Sequence, residues 1–352
     1  LKPDKIFTGT ILYKEGVMKR FILSLVLVSL TFGATGLDGK SAIAQDAAGA
    51  AGLYKQGKAE FMKFTPEGFQ QAIAIYNKAI GVDANYAPAY AGLAEVYSFM
   101  GFYRYLVKDD YEKYYNDSYT NMEKALKLGP DLESTQVALA YSYYHLSREK
   151  EAIAAARGVL AKDPNNAEAY YILWAAGGRN PNAPEIRKAI ELNPKYVPAY
   201  IGLGDAYYQK RRSFNQAAAQ YQKAVELAPS AQLHNYLGTA LNYQGYFPQA
   251  VKQFQKAIDL NPKYAPAYMN LGITYYYMKR FQDAVSSESK SISLNPNNPE
   301  AYFFLAQGYE RQNKRPEAIS NYKKFVQITL GQDRYKGYSD TARQRIAALG
   351  GG

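Results

Sequence analysis

The chain has 352 residues, 35 tyrosines, one tryptophan, no cysteine and a formal charge of +11. Without cysteine it forms no disulfide and carries no lipid-anchored cysteine. The basic excess alone admits nucleic acid or an acidic surface as partner.

The first segment with a pattern is Lys19-Arg20, the apolar run Phe21–Leu30 and the small-residue stretch ending Ala42-Ile43-Ala44-Gln45. That order is the charged region, apolar region and cleavage site of a secretory signal, residues 18–44, with cleavage expected after Ala44. An uncleaved anchor is the bland alternative, although the run is short for a bilayer span. Codons for Lys14-Glu15-Gly16-Val17 can spell a bacterial ribosome-binding sequence just before Met18. Residues 1–17 are therefore expected to be an untranslated leader or a short extension, and residues 45–51 a linker.

From residue 52 a pattern repeats about every 34 residues. Its clearest copies are Tyr200, Leu203, Gly204, Tyr207 and Tyr268, Leu271, Gly272, Tyr275, within the block LNPKYxPAYxxLGxxYY that starts at Leu192 and Leu260. Related rungs are Tyr90, Leu93, Ala94, Tyr97; Gln136, Leu139, Ala140, Tyr143; Tyr302, Leu305, Ala306, Tyr309; and, with substitutions, Tyr170, Leu173, Trp174, Gly177 and His234, Leu237, Gly238, Leu241. Offsets of three, four and seven place each set on one stripe of a helix. A second helix follows each first one, marked by Ala217, Tyr221, Ala224, by Ala250, Phe254, Ala257 and by Ala318, Tyr322, Phe325. Pro130, Pro164, Pro194, Pro229, Pro262 and Pro296 stop the helices, and Pro88, Pro198 and Pro266 open the next ones; proline lacks the N–H that a helix interior needs and its first turn does not.

These residues resemble the tetratricopeptide repeat family over 52–330. The resemblance implies an all-α fold: an α-solenoid superhelix of about eight helix-turn-helix repeats, closed by a capping helix and tail at 331–352. The first repeat is degenerate (Tyr54, Gly57, Phe61, then Ala72, Tyr76, Ala79), the second carries an insertion around Phe102–Lys113, and the fourth is short near Gly177–Pro184. In the cap, Ala342, Ile346 and Leu349 share one side and Arg343 and Arg345 the other. Each hairpin has two apolar sides and buries only one internally, so neighbours must stack.

Residues 1–44 hold six Lys/Arg and three Asp/Glu, which leaves +8 on the rest. Lys78, Lys124, Lys188, Lys223 and Lys256 recur in register before a small residue of the second helix, the pattern of a solvated outer face. No phosphate loop, dinucleotide fingerprint or nucleophile elbow occurs. His234 occupies a core slot, and His145 is expected at the inner edge of the groove without a metal site. Asp109-Asp110 reads as a helix cap, and Asn116-Asp117-Ser118 matches a weak glycosylation sequon. No enzyme activity, cofactor, metal or nucleic acid is expected.

The resemblance implies that one flank of each first helix lines a concave groove. The candidates there are Tyr141, Tyr144, Tyr171, Ile201, Asp205, Tyr208, Asn235, Asn242, Tyr243, Met269, Tyr276, Tyr277, Phe303 and Gln307, with Ala91, Glu95 and Ser98 in the second repeat and Glu310 in the last. No first lining slot is basic, which disfavours grip on a C-terminal carboxylate. Rings and amides suit an extended peptide or, alternatively, an envelope glycan stacked on the rings; a regulatory subunit of a separate enzyme is a third reading. The expectation is an exported bacterial scaffold, periplasmic or extracellular, that binds a protein or peptide.

Overall fold

A computed structural model describes residues 37–106, 111–209 and 213–351. Among these residues every regular element is helical, and the chain divides into two compact units at Tyr196/Val197. The charged and apolar parts of the expected signal lie outside the described residues, as do Asp109-Asp110. No helix among the described residues is long and apolar enough to cross a membrane.

Unit 1 contains α1 (Leu37–Phe61), α2 (Pro66–Val82), α3 (Ala87–Leu106), α4 (Glu112–Leu128), α5 (Glu133–His145), α6 (Glu149–Lys162), α7 (Ala167–Ala176) and α8 (Pro184–Leu192). Unit 2 contains α9 (Val197–Gln209), α10 (Phe214–Leu227), α11 (Ala231–Tyr243), α12 (Phe247–Leu260), α13 (Ala265–Tyr277), α14 (Phe281–Leu294), α15 (Pro299–Arg311), α16 (Arg315–Ile328) and α17 (Lys336–Ala348). Consecutive odd- and even-numbered helices pair as hairpins, four in each unit, and within each unit the hairpins stack side by side. That is the expected all-α solenoid organisation.

Local signals explain the boundaries. Thr65, Asn166, Ser230 and Asn298 cap α2, α7, α11 and α15 by accepting from backbone N–H groups of the first turn, which satisfies otherwise orphaned donors. Four of the turns inside the hairpins share one geometry. The N–H of Arg148, Tyr246, Arg280 and Lys314 donates to the carbonyl of Tyr143, Leu241, Tyr275 and Tyr309. The residue before each has a positive φ: Ser147, Gly245, Lys279 and Asn313. This is a left-handed C-cap whose bond closes over the last helical turn. Arg148, Arg280 and Lys314 then lie over the rings of Tyr143, Tyr275 and Tyr309 at 4.4, 4.4 and 5.8 Å.

The core is built on rings pressed against glycines. A Cβ at Gly204 would come within 2.6 Å of the Tyr221 ring, and one at Gly238 within 2.7 Å of Phe254. The missing side chain lets the second helix of these hairpins push its ring through to the first. Tyr76 is held between Gly57 and Gly92 in the same way, which resolves the first repeat. Gly57 is its small slot, so the expected ladder of Tyr54, Gly57 and Phe61 moves by one residue. Lys58 then falls five residues after Leu53, as Glu95 does after Tyr90 and Asp205 after Tyr200. The seventh hairpin differs in kind: Glu288 of α14 occupies the ring position, against Gly272, fully buried and with neither carboxylate oxygen hydrogen-bonded.

Three further points refine the expected boundaries. Residues 45–51 belong to α1, and Ala50 is buried against Ala79 and Ala89. The short fourth hairpin turns through Gly178 and Arg179, both at positive φ. There the one tryptophan, Trp174, is buried, and its indole N–H donates to the Asn180 carbonyl at 2.7 Å. Beyond α16, a 3-10 turn (Asp333–Tyr335) leads into α17, which buries Ser339 and Ala342 and leaves Ile346 and Leu349 half-buried.

Candidate functional site

The lining flank behaves differently in the two units. In unit 1 the expected groove residues are enclosed: Tyr141, Tyr144, Tyr171, Ala91, Glu95 and Ser98 are all buried. Tyr141 packs on Phe99 at 4.9 Å and stacks on His145 at 6.0 Å. The Tyr144 hydroxyl accepts from the Arg179 guanidinium. His145, expected at the groove edge, is buried and paired with the Ser98 hydroxyl. Burial, then the Arg179 charge, hold its pKa down at about 3, so the imidazole stays neutral. No group of three or more metal-ligating side chains exists among the described residues. His234 is likewise a core histidine, bonded to Gln253 at 2.8 Å.

An ion cluster closes this face. The Lys58 ammonium donates to both oxygens of Glu95, at 3.1 and 2.9 Å, and to Glu168 at 3.0 Å. One lysine of α1 thereby bridges α3 and α7. Burial disfavours its charge, but Glu168 and Glu95 outweigh that and raise its pKa well above the lysine range. Burial works the other way on Glu95; with the Glu168 charge it outweighs Lys58 and lifts the carboxyl to about 8. Neither Lys58 nor Glu168 stood among the sequence candidates. The ring-to-glycine register at Gly57 is the signal that finds Lys58; Glu168 has none, because it meets Lys58 across 110 residues of sequence.

In unit 2 the same flank remains partly open. Ile201, Asp205, Tyr208, Asn242, Tyr243, Met269, Tyr276, Tyr277 and Gln307 are half-buried. Asn235 and Phe303 are buried; Phe303 packs on Phe325 and Tyr322 and belongs to the core. The polar residues are ordered by internal bonds. Asp205 accepts from the Tyr221 hydroxyl at 2.6 Å, Asn270 donates to Asn235 at 2.9 Å, and Met269 sulfur accepts from Asn298 at 3.1 Å. Glu310 accepts from Tyr322 and pairs with Arg345 of α17. The enclosed side-chain oxygen of Asn242 has no partner.

The tyrosines form a row. Tyr208 meets Tyr243 edge-on at 5.4 Å, and Tyr243 stacks on Phe214 at 4.7 Å. Tyr277 stacks on Phe247 at 6.1 Å and meets Tyr276 edge-on at 5.9 Å, while Arg311 donates to the Tyr276 hydroxyl at 3.3 Å. The cap adds Tyr338, 5.2 Å from Phe303 and within electrostatic reach of Tyr277 and Tyr243. Burial, then the neighbouring hydroxyls, raise the pKa of Tyr208 and Tyr277, and Tyr338 reaches about 12. These phenols stay neutral across the physiological range. Tyr338 was read only as part of a cap, because nothing in its own sequence context directs it to the groove flank.

The chain matches models described as TPR repeat over residues 238–279 and as Tetratricopeptide repeat over 183–232 and 265–298. Among solved structures it is similar to the APC/C hetero-tetramer Cut9-Hcn1, at 20% identity and a TM-score of 0.61, covering 82% of this chain and 55% of that one. It therefore spans about half the length of that chain. It is also similar to PilW, a widely conserved type IV pilus biogenesis factor, at 15% identity and a TM-score of 0.50, covering 58% of this chain and 97% of that one. At these identities the likeness is one of fold. No curated protein sequence matches the chain.

Proposed function

We propose that this chain, which carries tetratricopeptide repeats over residues 183–232 and 238–298, is a non-enzymatic scaffold that binds an extended segment of a protein partner on the concave flank of unit 2. The row Tyr208, Tyr243, Tyr277 and Tyr338 carries this reading. Its rings are partly exposed yet braced by Phe214, Phe247 and Phe303, so they serve as anchors that lose little freedom on binding. The half-buried amide of Gln307 supplies a group for a peptide backbone. Charge narrows the partner. Nineteen of the 42 Lys/Arg but only ten of the 31 Asp/Glu lie in residues 197–352, which favours a segment with acidic residues.

A displayed random-peptide library selected on the whole chain tests this. Enriched acidic peptides are expected to lose about tenfold or more in affinity on Tyr208→Ala with Tyr276→Ala, with helicity and melting temperature held. Unchanged peptide affinity in that folded double variant rejects the site. Binding confined to a glycan array, and lost in the same variant, moves the assignment to sugar.

We also propose that the protein is exported, on the strength of Lys19-Arg20, Phe21–Leu30 and the Ala42–Ala44 site. Cell-envelope fractions should yield a protein that begins at Gln45.

A further inference from the structure

The ion cluster of unit 1 is unusual in its arithmetic. Glu95 and Glu168 converge on the single ammonium of Lys58, so one of the two carboxyls has no cation of its own, and Glu95 keeps a proton at neutral pH in its place. Around it stand hydroxyls that nothing engages. Those of Tyr76 and Tyr196 are enclosed and without a hydrogen-bond partner, and both lie within electrostatic reach of Lys58 and Glu95. Buried hydroxyls are normally satisfied, because an unmade bond leaves the full desolvation cost standing. The cluster is also not sealed: 23% of the Lys58 side chain and 18% of the Glu168 side chain remain accessible, against 5% for Glu95. Buried ion pairs add little net stability of their own.

We propose that Glu95 and Glu168, with the Tyr76 and Tyr196 hydroxyls, form a recognition site for the guanidinium of an arginine side chain, and that Lys58 is the chain's own occupant of that site. A guanidinium carries five N–H donors in a rigid plane and is weakly hydrated. It can span two carboxylates and still donate to phenol oxygens, which the three donors of one lysine, already directed at Glu95 and Glu168, leave unserved. The accessible edge at Lys58 and Glu168 is where such a side chain would enter, and Lys58 would swing outward as it arrives. This site is separate from the tyrosine row of unit 2, and either can fail without the other.

The displaced ammonium is the readout. The whole chain is treated with a limiting dose of an amine-acylating reagent, with N-acetyl-argininamide or its uncharged isostere N-acetyl-citrullinamide at matched ionic strength. Acylation at each lysine is then counted by mass spectrometry. Lys58 should be acylated several-fold faster with the arginine compound and no faster with the citrulline compound. Lys55 and Lys63, both exposed, should be indifferent to either. In Glu168→Gln, Lys58 should start more reactive and respond less. If argininamide leaves Lys58 as protected as salt does, or if citrullinamide exposes it equally, the cluster is a structural lock and the proposal fails. The wild-type comparison decides this even if the variant does not fold.

Discussion

At the scale of the residue, one acidic side chain stands where three other hairpins seat a ring on glycine. The ring slot against a glycine is Tyr76, Tyr221 or Phe254 in other hairpins but Glu288 in α14. Burial alone pushes its carboxyl well above the usual range, because an enclosed charge without a partner is expensive. The folded state therefore holds a proton that the unfolded chain releases near pH 4.3. Glu288 lets the fold reach full stability below that pH, and this stability is lost as pH rises toward the folded pKa, by up to about 1.4 kcal/mol per pH unit. His145 acts in the opposite sense: its depressed pKa makes stability fall as pH drops from about 6.5 toward 3. The clean measurement is thus the difference between wild type and Glu288→Gln in denaturant melts at several pH values. That difference should widen from pH 4.5 to 7; a constant gap would contradict the buried neutral acid. Glu288→Phe, which restores the ring of Phe254, should stabilise by about 2 kcal/mol or more.

At the scale of the element, the stripes of the first helices and the stopping prolines made the helices legible, since both depend on local spacing and backbone chemistry. Leu237 illustrates it: placed on the ladder by spacing, it is 3% exposed in α11. Leu237→Asp should cost roughly 3 kcal/mol or more, since aspartate would be buried without a partner. A melt that coincides with wild type would contradict this packing. Two things were not legible. The first hairpin offers both Gly57 and Lys58 near the small slot, and only the seat of the Tyr76 ring decides between them. The closure of the unit 1 flank depends on contacts between hairpins far apart in sequence, such as Lys58 with Glu168. Periodicity states which face a residue occupies, not whether α1 and α7 meet across it, so Tyr141, Tyr144 and Tyr171 read as open when they are enclosed.

At the scale of the whole molecule, the two units share a construction and differ in what they leave accessible. Unit 1 covers the lining flank with an aromatic core and an ion cluster, while unit 2 keeps a partly open row of neutral phenols in the more basic half of the chain. Each unit is a stack whose hairpins touch chiefly their neighbours, the Lys58–Glu168 pair of unit 1 excepted, and such stacks need not melt together. Trp174 turns this into an optical experiment. It is the chain's one tryptophan, it is buried in α7, and its bond to Asn180 ties it to the turn of the fourth hairpin. Indole emission is therefore a private reporter of unit 1, silent about unit 2, whereas far-ultraviolet dichroism sums the helices of both. Recording the two signals in one denaturant titration should give separate midpoints if the units unfold independently and one midpoint if they are coupled.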